Sequence, residues 1–407
     1  MIKEIFELQN PWRSRVFSPA LKKRKVLEIL LENLHNRKIL GLIGSRHVGK
    51  SSLLYLIIEH LLQEDVRANH IFYFNLDDLK LHELFEYVPD FIRFIQPGEN
   101  KKYVFIDEIQ RLTNPGLFLK QIYDLNQNIK IIYSGSSQLE ITSKLREHLV
   151  GRARQFEIHP LSFSEYSAFN HPIPREEALG QMLVFGSYPE VSLEKNGLDK
   201  QLALKDIYQS YVQKDLVDFL KIDNIDAFNK LLVLLANQIG SLLVMEHLAN
   251  ALKISRADAE KYISVLENTF VIKRIYPFHK NYKKEITKTP KIYFMDLGMR
   301  NFAINNFNDL TIRNDQGALF ENFILLELLK NDWDSLNRIN HWRTTNQTEI
   351  DFFVTRGNAT HALEVKWDRG TPPKSFKTIH RYYPEIKTRV VTRRGFLEGD
   401  FSEIFEL

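Results

Sequence analysis

Residues 44–51 read Gly-Ser-Arg-His-Val-Gly-Lys-Ser, which is the G-x-x-x-x-G-K-S spacing of a phosphate-binding loop. The glycines let backbone N–H groups point at phosphate oxygens, and the start of the next helix adds a favourable dipole. Lys50 would neutralise the β- and γ-phosphates, and the Ser51 hydroxyl would bind Mg²⁺. The residues expected around the phosphates are Gly44, Ser45, Arg46, His47, Val48, Gly49, Lys50, Ser51 and Ser52.

A second apolar run, 103–106, ends in the two carboxylates Asp107 and Glu108. Carboxylates at the carboxyl end of a parallel strand lie where ligands bind in open α/β sheets. Asp107 suits an outer contact to Mg²⁺, and Glu108 suits a general base that polarises the attacking water. A third apolar run ends in polar residues, of which Ser136 is the best candidate to contact the γ-phosphate or the water, with Ser137 close behind.

The nucleotide is expected to be ATP rather than GTP. There is no N-K-x-D segment to read a guanine base, and no glycine follows Asp107 at the spacing of a D-x-x-G switch. A small-molecule kinase would need an acceptor pocket and a lid, and neither is indicated by the sequence.

A further group of chemically capable residues lies near the C-terminus. Glu364 and Lys366 are two residues apart on a predicted strand, so their side chains share a face, and Asp351 on the neighbouring strand can join them. With Glu321 on the preceding helix, the three carboxylates could hold Mg²⁺ for phosphodiester hydrolysis, and Lys366 could orient the water. The alternative is an ordinary strand with charged residues facing solvent.

The elements that must position these residues divide the chain into four predicted domains: 1–163, 164–225, 226–313 and 314–407. Strands at Ile39–Ile43, Ile71–Asn75, Tyr103–Ile106, Ile131–Ser134 and Gln155–Ile158 alternate with helical patterns, which predicts a parallel α/β sheet after a basic lead-in. The second domain reads mainly helical. The last is predicted to be a smaller α/β unit, with a helix at Gly317–Leu329 and four strands between 339 and 392.

Residues 226–313 fit a winged helix, with helices at Met245–Lys253 and Ala257–Asn268 and wing strands at Val271–Tyr276 and Lys291–Phe294. Between Lys273 and Lys291 the chain carries seven Lys or Arg and four aromatic or histidine residues against a single acid, Glu285. This basic ribbon, residues 273–291, could follow a DNA phosphate backbone. It could equally be a solvated loop of a domain-packing winged helix.

The composition excludes some classes of protein, but it does not identify a binding partner. The 407 residues contain no cysteine, so neither a disulfide nor a thiolate metal site is possible, and the net charge is only +4. No apolar stretch is long enough to span a bilayer, and the first residues lack a signal-peptide core. A cytoplasmic protein without a membrane partner is therefore expected.

The motifs together resemble the AAA-type ATPases fused to a DUF4143-like region, and the likeness extends over most of residues 10–370. Besides the phosphate-binding loop and Asp107-Glu108, it rests on Pro160–Tyr166, Phe185–Glu190, Tyr211–Leu216, Tyr293–Gly298 and Gly317–Asn322. The D-x(12)-E-x-K spacing from Asp351 to Lys366 resembles the PD-(D/E)xK nucleases, although the leading proline is absent. The resemblance implies an AAA+ core, a winged helix and a nuclease-like C-terminal domain.

By the same resemblance, Arg152 would be an arginine finger or sensor for the γ-phosphate; if it acts in trans, the protein is a homo-oligomer. The function expected is ATP hydrolysis coupled to a DNA-directed C-terminal domain that cuts DNA with Mg²⁺. The alternative is an ATP-dependent switch that binds DNA or a protein partner without cutting. Convergence of Glu321, Asp351, Glu364 and Lys366 within metal-bridging distance separates the two.

Overall fold

The computed structural model describes residues 2–136, 148–210, 224–278, 288–344, 348–368 and 370–399. The chain divides into two compact units, Met1–His159 and Pro160–Leu407. Ser137, the Tyr211–Leu216 motif and most of the basic ribbon (279–287) lie outside the described residues.

The first unit is built on a five-stranded parallel sheet of order β2-β3-β4-β1-β5. All five predicted strands are present, with small changes at their ends. Because β4 lies between β1 and β3, its carboxyl end separates the phosphate-binding loop after β1 from the acids that end β3. The strands are β1 Ile39–Ile43, β2 Ile71–Asn75, β3 Lys102–Asp107, β4 Ile129–Gly135 and β5 Ala153–Glu157.

Apolar strands and amphipathic helices supply the core of this unit. All five residues of β1 are buried, as a strand covered on both faces requires. The helix after the phosphate-binding loop buries Leu53, Leu54, Ile57 and Ile58. The helices are α1 Ile2–Gln9, α2 Val26–Glu32, α3 Lys50–Gln63, α4 His82–Glu86, α5 Val88–Ile95 and α6 Pro115–Asp124.

Side chains of the N-terminal lead-in cover the free edge of β2. Asn10 receives the Tyr73 N–H at 2.8 Å and donates to the Tyr73 carbonyl at 2.8 Å, as a paired strand would. Gln9 receives the Asn75 N–H at 2.8 Å, and Arg13 donates to the Ile71 carbonyl at 3.0 Å. An exposed strand edge is a site of unwanted pairing, so this lead-in protects the sheet.

The second unit begins with helices and a two-stranded antiparallel hairpin. Ser162 and Glu165 form a capping box that starts α7. The predicted winged-helix elements are present as α12, α13, β6 and β7. The helices are α7 Phe163–Phe169, α8 Arg175–Phe185, α9 Pro189–Leu193, α10 Gly197–Ile207, α11 Ile225–Asn237, α12 Met245–Leu252, α13 Arg256–Asn268 and α14 Leu297–Ala303, and the strands are β6 Ile272–Ile275 and β7 Lys291–Phe294.

The C-terminal part of this unit is a four-stranded sheet of order β11-β10-β9-β8, preceded by a helix. β8, β9 and β10 are antiparallel neighbours, and β11 is parallel to β10. Two helices that the sequence analysis did not predict follow β10 and β11. The elements are α15 Gln316–Lys330, β8 Arg338–Arg343, β9 Glu349–Arg356, β10 Ala359–Lys366, α16 Lys374–Tyr382, β11 Lys387–Thr392 and α17 Arg393–Glu398.

Candidate nucleotide site and C-terminal carboxylate cluster

The phosphate-binding loop has the backbone that its glycines predict. A Cβ on Gly44 would lie 2.1 Å from the carbonyl oxygen of Ile158, so only glycine fits there. Gly49 has φ +90° and precedes the first residue of α3, whose free N–H groups are the expected anion contacts. His47, with φ 61°, is also left-handed. The loop therefore turns sharply into the start of a helix.

Lys50 folds back onto this loop. Its Nζ donates to the carbonyls of Gly44 at 3.0 Å and Ser45 at 2.7 Å, and the residue is only 5% exposed. Burial lowers the pKa of Lys50, and the nearby charges of Glu108 and Asp107 oppose that shift. The ammonium is thus held by neutral carbonyls, which leaves its charge available to an anionic ligand.

Asp107 is buried at the carboxyl end of β3, and β4 lies between this strand and β1, which leads into the phosphate-binding loop. The Tyr73 hydroxyl donates to its Oδ2 at 2.7 Å, and the Ser134 hydroxyl donates to Oδ1. Burial, together with the charge of Asp107, raises the pKa of Tyr73 well above its usual value, so the phenol remains a donor. Tyr73 and Ser134 therefore fix the orientation of the carboxylate that the sequence assigned to Mg²⁺.

Glu108 has a left-handed backbone, φ 58°, and its N–H donates to the Ser134 hydroxyl at 3.1 Å. The Ser136 hydroxyl donates to Glu108 Oε2 at 3.1 Å, and the Gln110 amide donates to the same oxygen. The structure thus brings Glu108 and Ser136 together, as predicted for a shared site. Gln110 and Ser134 were not predicted, although both lie within the motifs that drew attention to this edge.

Arg24 is a further residue of this site that sequence reasoning missed. Its Nη1 donates to the carbonyls of Val48 and His159, both at 2.9 Å, and the side chain is buried. It lies in a run of four basic residues, 22–25, which reads as a solvated lead-in. Arg24 instead ties that lead-in to the phosphate-binding loop.

The structure does not bring Arg152 to the phosphate-binding loop of its own chain. Its carbonyl accepts the N–H of Ile39, at the amino end of β1, whereas the loop follows the carboxyl end. The length of β1 separates the two by about 16 Å, beyond the reach of an arginine side chain. Arg152 pairs with Asp124 at 2.9 Å. Of the two options that the sequence leaves open for Arg152, a γ-phosphate contact within the same chain is therefore not formed in this structure.

In the second unit, two of the four predicted residues, Glu321 and Asp351, contact a residue that was not among them, Lys291 on β7. Its Nζ lies 3.2 Å from Glu321 Oε1 and 3.7 Å from Asp351 Oδ1, and it also contacts Glu349. Lys366 pairs with Glu364 at 2.7 Å. Glu321, Glu349, Asp351 and Glu364, together with the two lysines, are called the carboxylate cluster below.

Burial and mutual repulsion dominate the electrostatics of this cluster. Burial, with the charge of Glu321, raises the pKa of Asp351 to about 7, and Lys291 opposes that rise. Burial and the charge of Asp351 likewise raise the pKa of Glu364. Burial alone would lower the pKa of Lys291, yet the three carboxylates around it raise the pKa above its usual value. Lys291 is therefore a firmly charged internal counter-ion.

The expected metal centre of Glu321, Asp351 and Glu364 is not formed in this arrangement. Within the described ranges, which include all three residues, no group of three His, Asp or Glu side chains could hold a metal ion. The physical reason is that the Lys291 ammonium lies between Glu321 and Asp351 and supplies the positive charge there. In the sequence, Lys291 is the last residue of the basic ribbon and the first residue of a predicted wing strand.

Other described residues of that ribbon also have structural partners. Arg274 Nε donates to Glu267 at 2.7 Å. Phe278 contacts Phe353 and Tyr383, with ring centroids 5.1 and 5.6 Å apart, and packs against the core of the four-stranded sheet. The part of the ribbon that the structure describes is thus mostly packed rather than presented as a basic surface.

Two further family motifs, Phe185–Glu190 and Tyr293–Gly298, contact each other inside the second unit. Asp296 receives the Ser187 N–H at 2.8 Å and the Met299 N–H at 3.1 Å. A Cβ on Gly186 would lie 2.1 Å from Asp296 Oδ1, and one on Gly298 would lie 2.1 Å from the Phe185 carbonyl. These glycines allow a close backbone approach, so the motifs around 186 and 297 are explained by packing.

Comparisons with known proteins agree with this architecture. Residues 36–167 match the family model described as an AAA domain, residues 176–310 match DUF8612, and residues 316–403 match DUF4143. With the five-stranded parallel sheet, these matches define the first unit as a P-loop domain of the AAA type. The chain is an AAA-type P-loop protein with a DUF4143 C-terminal region.

Two relatives are uncharacterized proteins of Methanocaldococcus jannaschii. MJ1544 is 27% identical over 384 residues, covering 90% of this chain and 83% of the relative. MJ1637 is 30% identical over 321 residues, covering 69% and 66%. The solved ADP form of the Aeropyrum pernix ORC2 protein aligns with 64% of this chain and 89% of its own, at 12% identity and a TM-score of 0.39.

Among the helices of the described ranges, none combines the length and the apolar character needed to cross a bilayer.

Proposed function

We propose that this chain binds and hydrolyses ATP at the carboxyl edge of its five-stranded sheet. The observation that carries the proposal is the convergence of three oriented elements on adjacent strand ends. They are the glycine-shaped loop with Lys50, the Asp107 carboxylate held by Tyr73 and Ser134, and the Glu108 carboxylate held by Ser136. This set matches what phosphoryl transfer to water needs.

Each residue has a distinct part in this reaction. Lys50 binds the β- and γ-phosphates, together with the backbone N–H groups of residues 44–52. Glu108 accepts a proton from water, whose oxygen then attacks the γ-phosphorus as the bond to the leaving ADP oxygen breaks. Ser136 holds the base in place. Preorganised donors and charges of this kind lower the barrier without moving during the reaction.

The donor set also fits Mg²⁺. The ion prefers hard oxygen ligands, and it usually keeps waters beside one or two protein groups and the substrate phosphates. Ser51, in the first turn of α3, and Asp107, at the end of β3, are the hydroxyl and carboxylate that would hold it. Bound there, Mg²⁺ would offset negative charge on the phosphates.

Phosphate release by purified protein tests this proposal. We expect Glu108→Gln to keep ATP binding and lose turnover, because the base is removed while the loop remains. Glu83→Gln, the same change on an exposed position of α4, should leave the rate unchanged. Hydrolysis at the wild-type rate by Glu108→Gln would contradict the role of Glu108.

The C-terminal region is proposed to bind DNA, or a protein partner, without cutting it. Lys291 supports this reading over a metal-dependent nuclease, because its ammonium neutralises the carboxylates that would have to bind the metal. From α15 to β11 the elements follow one another as a helix, three strands, a second helix and a fourth strand. This order is compatible with descent from a nuclease fold. Fold alone does not imply retained activity.

Plasmid cleavage assays separate the two readings. We expect no cleavage by wild-type protein with Mg²⁺ or Mn²⁺, in the presence or absence of ATP. Metal-dependent cleavage that is lost in Glu364→Ala would restore the nuclease. Cleavage that persists in Glu364→Ala would indicate a contaminant.

DNA binding is tested separately, through the salt dependence of affinity. Replacing Lys280, Lys283 and Lys284 by alanine should weaken binding and flatten its slope against log salt, because fewer counterions are released. An unchanged slope would show that these lysines do not contact phosphates. The four domains proposed from the sequence, 1–163, 164–225, 226–313 and 314–407, provide the boundaries for fragment tests.

Arg152 retains one proposed role, as a finger toward the nucleotide of a second copy. Because Arg152 lies at the amino edge of the sheet, opposite its own loop, this role requires the nucleotide of a second copy. Mixing Lys50→Ala with Arg152→Ala then tests the proposal, because each variant supplies what the other lacks. If the mixture hydrolyses ATP, the result supports a homo-oligomer. If the mixture is no more active than the two variants measured separately, the result contradicts this role.

A further inference from the structure

Gln110, two residues after the proposed base, makes an unusually complete set of contacts with it. Its Nε2 donates to Glu108 Oε2 and also to the Ser136 hydroxyl at 2.8 Å, while that hydroxyl donates to the same Glu108 oxygen at 3.1 Å. Gln110 is 6% exposed. Three side chains from two strand ends thus form a closed ring of hydrogen bonds.

The direction of these bonds defines the orientation of the Gln110 amide. If the amide were reversed, its carbonyl oxygen would face a carboxylate oxygen, and two acceptors would meet. In the orientation found, both amide hydrogens are used. The carbonyl oxygen of this amide, Oε1, is buried and has no hydrogen-bond partner among the described residues. The protein therefore leaves one buried acceptor unpaired while both donors contact Glu108 and its neighbour.

This arrangement affects the two carboxylate oxygens of Glu108 differently. Oε2 receives the donors from Gln110 and Ser136, so Oε1 is the oxygen left to accept a proton from water. The left-handed backbone at Glu108, fixed by Ser134, restricts the same residue from the main-chain side. A carboxylate without these restraints would rotate, and misplacing a catalytic group by about 1 Å can cost about a hundredfold in rate.

We propose that Gln110 is the positioning residue that sets the Glu108 carboxylate for water activation during ATP hydrolysis. The inference rests on the proposed ATPase function and deepens it. In the step it supports, a proton passes from water to Glu108 Oε1. The water oxygen bonds to the γ-phosphorus, and the bond to the bridging oxygen breaks with its electron pair going to ADP. Gln110 exchanges no proton and touches no substrate.

Steady-state ATP hydrolysis by two variants tests this role. Gln110→Ala should lower kcat by about ten- to a hundredfold and leave the KM for ATP within about twofold, because the loop that binds ATP is untouched. At pH 8, Gln110→Glu should hydrolyse ATP as slowly as Gln110→Ala, because the introduced carboxylate repels Glu108. As the pH falls, the introduced carboxyl group takes up a proton and can donate to Glu108 again, so its activity relative to wild type should rise.

A control and a binding measurement separate positioning from folding. Gln121→Glu makes the same chemical change at an exposed position of α6 and should match wild type at every pH. Affinity for a fluorescent ATP analogue should be unchanged in all three variants.

The outcomes also separate this inference from the function on which it rests. If wild-type protein hydrolyses ATP in a Lys50-dependent way and both Gln110 variants match its kcat and pH profile, the positioning role alone is overturned. A loss of kcat accompanied by an equal loss of ATP affinity would likewise show that Gln110 only maintains the fold. If wild-type protein shows no Lys50-dependent hydrolysis, the ATPase and the role of Gln110 fall together.

Discussion

Lys50 and Lys291 are both buried lysines, and their surroundings are opposite. Lys50 donates to two neutral carbonyls of the phosphate-binding loop, and burial lowers its pKa. Lys291 contacts three carboxylates, which raise its pKa above the usual value despite burial. Among the residues that the structure describes, the Lys50 ammonium of the first unit has no directly paired acid, whereas the Lys291 ammonium of the second contacts three acids.

For these two lysines, the partner of the buried charge, rather than the residue type, distinguishes the expected ligand site from the structural counter-ion. A buried charge held only by dipoles remains costly until an anion arrives, which suits a ligand site. A buried charge already matched by carboxylates has no need of a ligand and serves as a structural counter-ion. ATP is therefore expected at Lys50, and no divalent cation is expected beside Lys291.

The largest expected effect is the loss of ATP hydrolysis when Lys50 is replaced. Lys50→Met should reduce ATP hydrolysis by at least about a hundredfold, since the charge that binds the β- and γ-phosphates is lost. Its melting temperature should change little, because the cost of leaving two loop carbonyls unpaired is offset by the removal of a buried charge. Lys80→Met, at an exposed position, is the control. A clear fall in melting temperature would contradict the contrast with Lys291.

The reverse pattern is expected for Lys291. Lys291→Met should lower the free energy of unfolding by about 3–5 kcal/mol, because it leaves buried carboxylates without their counter-ion. Lys366→Met removes a half-exposed partner of the same cluster and should cost about 1 kcal/mol or less. Urea denaturation measures both variants. Equal effects would show that Lys291 is not the central cation.

The pH dependence of folding stability tests the surroundings of Asp351, one of the acids that contact Lys291. The pKa of Asp351 is raised to about 7 from 3.8, so between these values the folded state binds more protons than the unfolded state. The stability contribution of Asp351 therefore falls as the pH rises from about 4 to about 7. Asp351→Asn should therefore become more stable relative to wild type as the pH rises across that range, because the amide does not ionise, and melting temperatures of the two proteins measure the difference. Parallel curves for the two proteins would contradict this expectation.

The smallest expected effect is at Arg24. Arg24→Gln should raise the KM for ATP about three- to tenfold with little change in kcat, because the loop loses one restraint worth about 1 kcal/mol. Lys23→Gln, the adjacent exposed residue of the same basic run, should behave as wild type. An unchanged KM in Arg24→Gln would show that the lead-in does not support the loop.

Sequence patterns predicted the first unit better than the second for a physical reason. Strand ends and the phosphate-binding loop depend on local signals, namely apolar runs, glycines and acids that directly follow a strand. The role of Lys291 depends on acids that come from α15 and β9, and nothing beside Lys291 on β7 indicates them. Arg24 is likewise indistinguishable in sequence from its basic neighbours, although its side chain reaches the loop. Helix α16 was missed because few apolar residues, Phe376 and Ile379 among them, face the core.

Counting Mn²⁺ bound per chain tests the contrast between the two lysines most directly. With a non-hydrolysable ATP analogue, electron paramagnetic resonance titration should find one Mn²⁺ per wild-type chain. Without nucleotide it should find none, and with the analogue Lys50→Ala should also bind none. The Glu364→Ala variant should match wild type in both conditions. Tight Mn²⁺ binding without nucleotide that disappears in Glu364→Ala would contradict the account, because the carboxylate cluster would then be a metal site after all.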